Sequence, residues 1–292
     1  MDLIAGILLN GLALGAMYAM GTIALSVIWG ALGMLNLAHG AILALGAYAA
    51  VLSVEKLGLP WWASLGPAIL AGAAAGLFLY FCIVKWLYRR PNFPINTVIT
   101  TIALAALTEN LINQSIGAEV WPQPFRFDGS LSIAGISVRA QPLVVLCAAL
   151  LFTIGISWLL GRTALGRAIR AVSQQRDAAS LMGISVPRTY AQILMITGVV
   201  SAVSGVLLTG MTTVYPTVGG DPTTKALIIC ACAGLGSLRG ATALALAFGL
   251  VEVAVQYTIG ARFGTTAALL IAISLLVWRP YGIFGTNSGG RL

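Results

Sequence analysis

The side chains of this sequence that could do chemistry are a few polar residues placed inside long apolar stretches. Asn36 and His39 are three positions apart and Glu109 and Asn113 are four apart, so each pair would share one face of a helix. Because a polar group in hydrocarbon is costly, it usually faces the interior of a helix bundle or a cavity. These groups could line a pathway for a polar solute, or they could only join neighbouring helices by hydrogen bonds. The candidate pathway residues are Asn36, His39, Thr100, Thr101, Glu109, Asn110, Asn113, Thr212, Thr213 and Glu252.

Enzymatic and metal-dependent chemistry has little support in the sequence. His39 is the only histidine, and neither an H-E-x-x-H motif nor a nucleophile beside a plausible base occurs. The G-x-x-x-x-G-K-[ST] loop that binds nucleotide phosphates is also missing from the sequence. We therefore expect a chain that is not an enzyme and that has no metal site and no cofactor of its own.

The composition indicates that the polar residues are surrounded by lipid-facing helices. The 292 residues are 59% hydrophobic and 8% charged, with a mean hydropathy of +0.96, whereas soluble domains carry about 25% charged residues. The net charge of +8 does not indicate nucleic-acid binding, because the basic residues lie in short stretches between apolar runs. The natural solvent of this chain is a bilayer.

Nine apolar stretches are candidates for membrane-spanning helices, each of which needs roughly 20 apolar residues. We predict an all-α polytopic membrane protein, with a bundle of about eight to nine transmembrane helices in a single domain over residues 1–292. The second stretch contains Gly33 and Gly40 near its start, so its helix is expected to break inside the membrane. The seventh is short and could be re-entrant. The stretches are 3–29, 31–53, 61–87, 95–115, 142–160, 189–212, 226–238, 241–259 and 263–279.

The basic residues predict how the chain is oriented. Most of the 16 Lys and Arg residues fall in one alternate set of loops, which includes the stretch 161–188 and the C-terminus. Cytoplasmic loops carry the excess of positive charge in membrane proteins. The C-terminus and residues 161–188 are therefore predicted to be cytoplasmic, and the N-terminus and the polar loop 116–141 to be outside.

The stretch 161–188 reads as a short amphipathic helix. Leu165, Ile169 and Val172 recur at helical spacing, and Gly183 and Pro187 end the pattern. Such a helix could lie on anionic lipid, or it could dock into a groove on a cytoplasmic partner. The residues assigned to a docking contact are Arg167, Arg170, Asp177, Ala179, Leu181, Met182 and Gly183.

Four ordered motifs resemble the permeases of branched-chain amino acid ABC transporters, the LivH/LivM family, and the LivH-like members most of all. The segment GRAIRA at 166–171, with AASLMGI at 178–184, is similar to the family's cytoplasmic coupling motif. The others are GMLNLAHG at 33–40 followed by GAY at 46–48, GLGSLRGA at 234–241, and RPYGIFG at 279–285. Ala233 stands where the family more often has a glycine.

This resemblance implies a set of partners and a mechanism. The partners would be a second permease subunit (a LivM-like one, forming a heterodimer), two cytoplasmic ATPase subunits that bind ATP and Mg²⁺, and a periplasmic solute-binding protein. The chain would lie in the inner (plasma) membrane of a bacterial cell and carry amino acids or similar small polar solutes by alternating access. The coupling helix in 161–188 would pass movements of the ATPases to the spans.

Two other classes of function are weighed against this one. An ion-coupled secondary transporter or channel would need no docking helix and would have charged pairs deeper in the bundle. A membrane enzyme would need the nucleophile and base that the sequence lacks. The helical patterns leave open whether the solute is a branched-chain amino acid, another amino acid, urea or an amide.

Overall fold

The apolar stretches fold into helices because, away from water, a helix satisfies its backbone hydrogen bonds internally. The computed structural model describes residues 2–121, 123, 129–133 and 136–285. The helices in these residues are α1 (Asp2–Leu32), α2 (His39–Glu55), α3 (Leu65–Leu87), α4 (Phe93–Ile116), α5 (Ala140–Arg162), α6 (Ala164–Gln174), α7 (Arg176–Leu181), α8 (Val186–Thr209), α9 (Gly220–Ala233), α10 (Leu238–Thr258) and α11 (Phe263–Trp278).

The all-α polytopic fold is confirmed, and each predicted span coincides with a helix. Six helices, α1, α3, α4, α5, α8 and α10, are long and apolar enough to cross a membrane by themselves. The helices α2, α9 and α11 have 17, 14 and 16 residues. At about 1.5 Å per residue, α9 is only about 21 Å long, less than the roughly 30 Å of the hydrocarbon core.

Both boundaries of the seventh predicted span, 226–238, are wrong by several residues. Helix α9 begins at Gly220 and not at residue 226, and it ends at Ala233 and not at residue 238. Asp221 and Pro222 lie in its first turn. An acidic residue and a proline are both favourable there, because the first turn has unpaired N–H groups and a partial positive charge.

The stretch 116–141 is not a loop throughout. Strands β1 (Ser130–Ile133) and β2 (Ile136–Arg139) form an antiparallel hairpin in which Ser130 pairs with Arg139. Helix α5 follows directly at Ala140.

Glycines allow the helices at the centre of the bundle to pack backbone to backbone. A methyl group on Gly15 of α1 would come within 2.9 Å of the Ala245 carbonyl oxygen of α10. One on Gly76 of α3 would meet the Leu194 carbonyl of α8 even more closely. The small glycine residues of α1 and α3 therefore let these helices approach their neighbours closely.

Two helices begin inside the bundle and run in opposite directions. At the start of α2, His39 lies against Gly21, a residue well inside α1. At the start of α9, the Gly219 backbone lies against that of Gly40. From there α2 runs towards the level of Met17, which lines a small void with Leu43. Helix α9 runs the other way, towards Ser26 of α1, whose hydroxyl lies 3.1 Å from Cys230 Sγ. The predicted break near Gly33–Gly40 is confirmed: residues 33–38 are not helical, and the Leu37 amide donates to Thr101 Oγ1 at 3.2 Å.

The charged segments collect at one end of the bundle, which we call the basic end. Arg176 of α7 donates from Nη2 to the Leu32 carbonyl oxygen at the end of α1 (3.1 Å). The segment after α11 joins the same end, since the Ile283 amide donates to the Cys232 carbonyl of α9 at 2.8 Å. Loops that alternate along the chain therefore lie at the same end of the bundle. The orientation predicted from the basic residues requires this arrangement.

Candidate functional site

A cavity of about 390 Å³ lies between α1, α9, α10 and the segment 210–219. It extends from Asn10, whose side chain donates to Tyr257 OH at 3.2 Å, to Tyr18 near the middle of the 31-residue α1. Its polar lining includes Asn10, Tyr18, Asp221, Lys225, Glu252 and Gln256, and its apolar lining includes Leu14, Met17, Leu208 and Val218. A volume in this range suits a small molecule, since ligand pockets are typically about 300–1,000 Å³.

An ion pair forms part of the cavity wall. Lys225 Nζ lies 2.7 Å from Glu252 Oε1, and it is the one salt bridge in the part of the chain that the structure describes. The Glu252 side chain is 3% exposed and that of Lys225 is 13% exposed. Charges removed from water in this way are stable only if they are paired and hydrogen-bonded.

The remaining hydrogen bonds hold the Glu252 carboxylate in place. Tyr18 OH donates to its Oε2 at 3.0 Å, while Thr265 Oγ1 and Gln256 Nε2 donate to its Oε1 at 3.0 and 3.4 Å. Lys225 Nζ also donates to Tyr18 OH at 2.9 Å. Four elements, α1, α9, α10 and α11, thus meet at one carboxylate.

The segment 161–188 forms an exposed surface at the basic end, with a break that the sequence did not predict. It contains two helices, α6 and α7, because Gln175 between them has extended backbone angles. Thr163 starts α6 by accepting a hydrogen bond from the Gly166 amide at 3.2 Å. At the far end of α7, Leu181 is 89% exposed and Met182 is 83% exposed. Beside Met182 lies an open groove between α6 and α7.

Comparison with known proteins identifies the chain's family. Residues 7–278 match the family described as "Branched-chain amino acid transport system / permease component". The chain belongs to this family. The permease is therefore a transport component rather than an enzyme, and a multi-pass protein of the inner membrane.

Two relatives of the permease cover nearly its whole length. It is 27% identical over 292 residues to the high-affinity branched-chain amino acid transport system permease protein BraD of Pseudomonas aeruginosa, an alignment that covers 95% of the permease and 94% of BraD. It is 25% identical over 289 residues to the corresponding protein LivH of Escherichia coli, covering 94% of each.

A solved structure shares the fold. The structure of "PsaBC from Streptococcus pneumoniae in complex with Fab" superimposes with a TM-score of 0.52 and 18% sequence identity. It covers 95% of the permease and 94% of the PsaBC chain. At this identity the likeness concerns the fold alone.

Two of the predicted pathway residues line the cavity, Glu252 and Thr212. Thr212 is exposed and donates to the Leu208 carbonyl at 3.1 Å. Thr213 is its exposed neighbour but is not part of the lining.

Asn36 and His39 lie deep in the permease and bind other groups rather than each other. Asn36 Oδ1 accepts from the Ala38 amide at 3.1 Å, and His39 Nδ1 lies 2.6 Å from Ser201 Oγ. A void of about 10 Å³ separates His39 from Tyr18, and it is too small for a solute.

The predicted residues of α4 do not reach the cavity. Thr100 and Thr101 donate to carbonyls four residues earlier in the same helix. Glu109 is half-buried, and Asn110 and Asn113 are exposed, on a helix that is largely uncovered in this chain. Any pathway role for them would need a second subunit against α4.

The predicted docking residues occupy different positions on the basic end. Arg170 and Arg167 donate to the Leu160 and Arg162 carbonyls of α5, the latter at 3.4 Å. Ala179 is buried at 4% exposure and packs into the bundle, so it supports α7 from beneath. Asp177, Leu181, Met182 and Gly183 are exposed.

Sequence reasoning missed Lys225, Tyr18, Asn10 and Asp221 of the cavity. Lys225 was counted only among the basic loop residues from which the orientation was predicted. The available signal was its position beside the apolar run 226–233, since a lysine there needs a partner in the bundle.

Proposed function

We propose that the permease is the membrane-spanning subunit of an ATP-driven importer that carries branched-chain or other amino acids. The observation that carries this proposal is the position of α1. Arg176, in the segment 161–188, donates a hydrogen bond to Leu32 at the C-terminal end of α1. Tyr18, near the middle of α1, lines the cavity. Helix α1 thus connects the segment 161–188, which the ATPases would move, with the cavity that would hold the solute.

In the proposed cycle, ATP binding by two partner ATPases moves α6 and α7. This movement tilts α1 with α7 and exposes the cavity to the two sides of the membrane in turn. ATP and Mg²⁺ bind to the partners and not to this chain. The exposed Leu181 and Met182 support a protein contact at this end, because two large apolar side chains in water favour a partner.

The proposal includes two further partners and an orientation. A second permease subunit of the LivM type would cover exposed helices such as α4, and a periplasmic binding protein would deliver the solute. The N-terminus would be outside and the basic end in the cytoplasm, which agrees with the positive-inside rule.

The buried ion pair favours one competing function. A charged pair inside the bundle is the feature expected of an ion-coupled secondary transporter. The two functions differ in what they require: the importer needs ATPase subunits, and the secondary transporter needs only an ion gradient.

Reconstitution separates them. The permease assembled with its ATPases and second permease subunit should take up L-leucine into proteoliposomes only when ATP and binding protein are supplied. Uptake by the permease alone, driven by a proton or sodium gradient, would overturn the importer proposal. Leu181→Asp with Met182→Asp should abolish ATP-driven uptake and loosen ATPase binding. Glu55→Gln with Lys56→Met, exposed at the end of α2, should change neither.

A further inference from the structure

We infer that the cavity of the permease is a binding site for the zwitterionic head of an α-amino acid, and that the solute splits the Lys225–Glu252 ion pair to bind there. This inference rests on the proposed function, because it specifies where the permease itself holds its solute. The solute carboxylate would accept from Lys225 Nζ, and the solute ammonium group would donate to the carboxylate that Lys225 has left.

The first argument is that Glu252 does not depend on Lys225 for its hydrogen bonds. Its oxygens accept from Tyr18, Thr265 and Gln256 as well. When Lys225 turns away, the carboxylate keeps its position and loses one cation, which the solute ammonium replaces. The charge balance at Glu252 is then the same before and after binding.

The second argument is that Lys225 can turn towards the cavity. Its side chain is more exposed than that of Glu252, and it lines the cavity along with Asp221, one helical turn earlier. An ammonium group has three donors, and the described residues use two of them, at Glu252 and Tyr18. The third is available for a first contact with the solute carboxylate, before Lys225 leaves Glu252.

The third argument is the composition of the remaining lining. Leu14, Met17, Leu208 and Val218 form an apolar wall beside the charged groups. The charged part of the cavity therefore suits paired opposite charges, and the apolar wall beside it suits a hydrocarbon side chain. An amine without a carboxylate, or a carboxylate without an amine, would leave one of the two buried charges without a partner.

The inference is tested by protection of a cysteine in the cavity wall, which does not require transport. Met211 lines the cavity, and Met211→Cys is placed in a permease whose exposed Cys82 and Cys147 are changed to Ser. In the assembled transporter, L-leucine should slow the reaction of this cysteine with a thiol reagent at least several-fold. 3-Methylbutylamine and 4-methylpentanoate, which each lack one charged group of leucine, should not.

The double variant Lys225→Met/Glu252→Gln distinguishes a binding role from a structural one. It removes both charges together, so no isolated buried charge hinders folding. Leucine protection should disappear and ATP-driven leucine uptake should fall at least tenfold, while ATP hydrolysis by the assembled complex persists. A control variant carries the same two kinds of substitution at an exposed pair, Glu55→Gln/Lys56→Met. It should keep both the leucine protection and the ATP-driven leucine uptake.

Two outcomes would overturn the inference. One is leucine protection that is unchanged in the double variant, and the other is equal protection by the amine or the carboxylate alone. If the parent complex shows no ATP-driven uptake but leucine still protects the cysteine, the proposed importer fails and the binding site stands.

Discussion

The backbone of Gly40 lies directly against that of Gly219, where the half-helices α2 and α9 begin. A methyl group built on Gly40 would come within 2.5 Å of the Gly219 carbonyl oxygen and 2.6 Å of Thr223 Oγ1. Neither neighbour can move easily, since one is backbone and the other donates to the Gly219 carbonyl at 2.7 Å. This contact fixes how close the two helix starts can come.

Gly40→Ala is therefore expected to destabilise the permease. Overpacking a dense interior typically costs about 1–3 kcal/mol. The measurement is the thermal unfolding midpoint in detergent, which should fall. Gly155→Ala in α5 is the matched control, because a methyl group there meets nothing within 4 Å. Equal midpoints for the two variants would contradict the close contact.

Thr101→Val should weaken the permease more than Thr100→Val. Both hydroxyls donate within α4, but Thr101 Oγ1 also accepts from the Leu37 amide in the non-helical segment 33–38. Leaving a fully buried amide without an acceptor costs about 1–3 kcal/mol. The Leu37 amide is partly buried, so we expect a cost towards the lower end of that range. Hydrogen exchange at Leu37 should accelerate in the first variant and stay at the parent rate in the second. A similar rate in both would show that Leu37 has another acceptor.

Arg176→Ala should uncouple ATP hydrolysis from uptake. A hydrogen bond from a charged donor is worth about 1.5–3 kcal/mol, and Arg176 both binds the Leu32 carbonyl and lies over the Tyr190 ring, 5.6 Å from its centroid. The ratio of leucine taken up to ATP hydrolysed should fall several-fold. The exposed Arg188 is the control, and Arg188→Ala should leave the ratio near that of the parent. If Arg176→Ala takes up as much leucine per ATP hydrolysed as the parent, the contact between Arg176 and Leu32 does not transmit movement from the ATPases.

Tyr18→Phe should lower stability, and Tyr48→Phe should not. The Tyr18 hydroxyl donates to Glu252 and accepts from Lys225, so its loss leaves the buried Glu252 and the partly buried Lys225 with fewer partners, at a cost of about 1–3 kcal/mol. The Tyr48 hydroxyl is buried without a hydrogen-bond partner in the described residues, and removing it is expected to be neutral or stabilising. The measurement is the thermal unfolding midpoint of each variant. A larger fall in the midpoint for Tyr48→Phe than for Tyr18→Phe would contradict the hydrogen-bond partners described for the two hydroxyls.

The sequence predicted the helices well because hydrophobic length is a local property. It also located the break near His39 and the exposed surface at 161–188. At both places glycine, proline or charged residues interrupt the run of apolar residues. It did not predict the cavity, since Lys225 and Glu252 are 27 positions apart and meet only because α9 and α10 pack together. Thr101 illustrates the same limit: its polarity was noticed, but its partner Leu37 lies 64 positions away. Pairings of this kind depend on tertiary packing, which no local pattern encodes.

The meeting of α2 and α9 also has an electrostatic consequence. The N-terminal end of a helix carries a partial positive charge, and here two such ends, at His39 and Gly220, face one region in the interior of the bundle. A proton or sodium ion that reached this region would be repelled by the partial charge at the start of α2, whereas Asp221 in the first turn of α9 offsets the charge of the other end. We expect this arrangement to disfavour a small cation beside the start of α2.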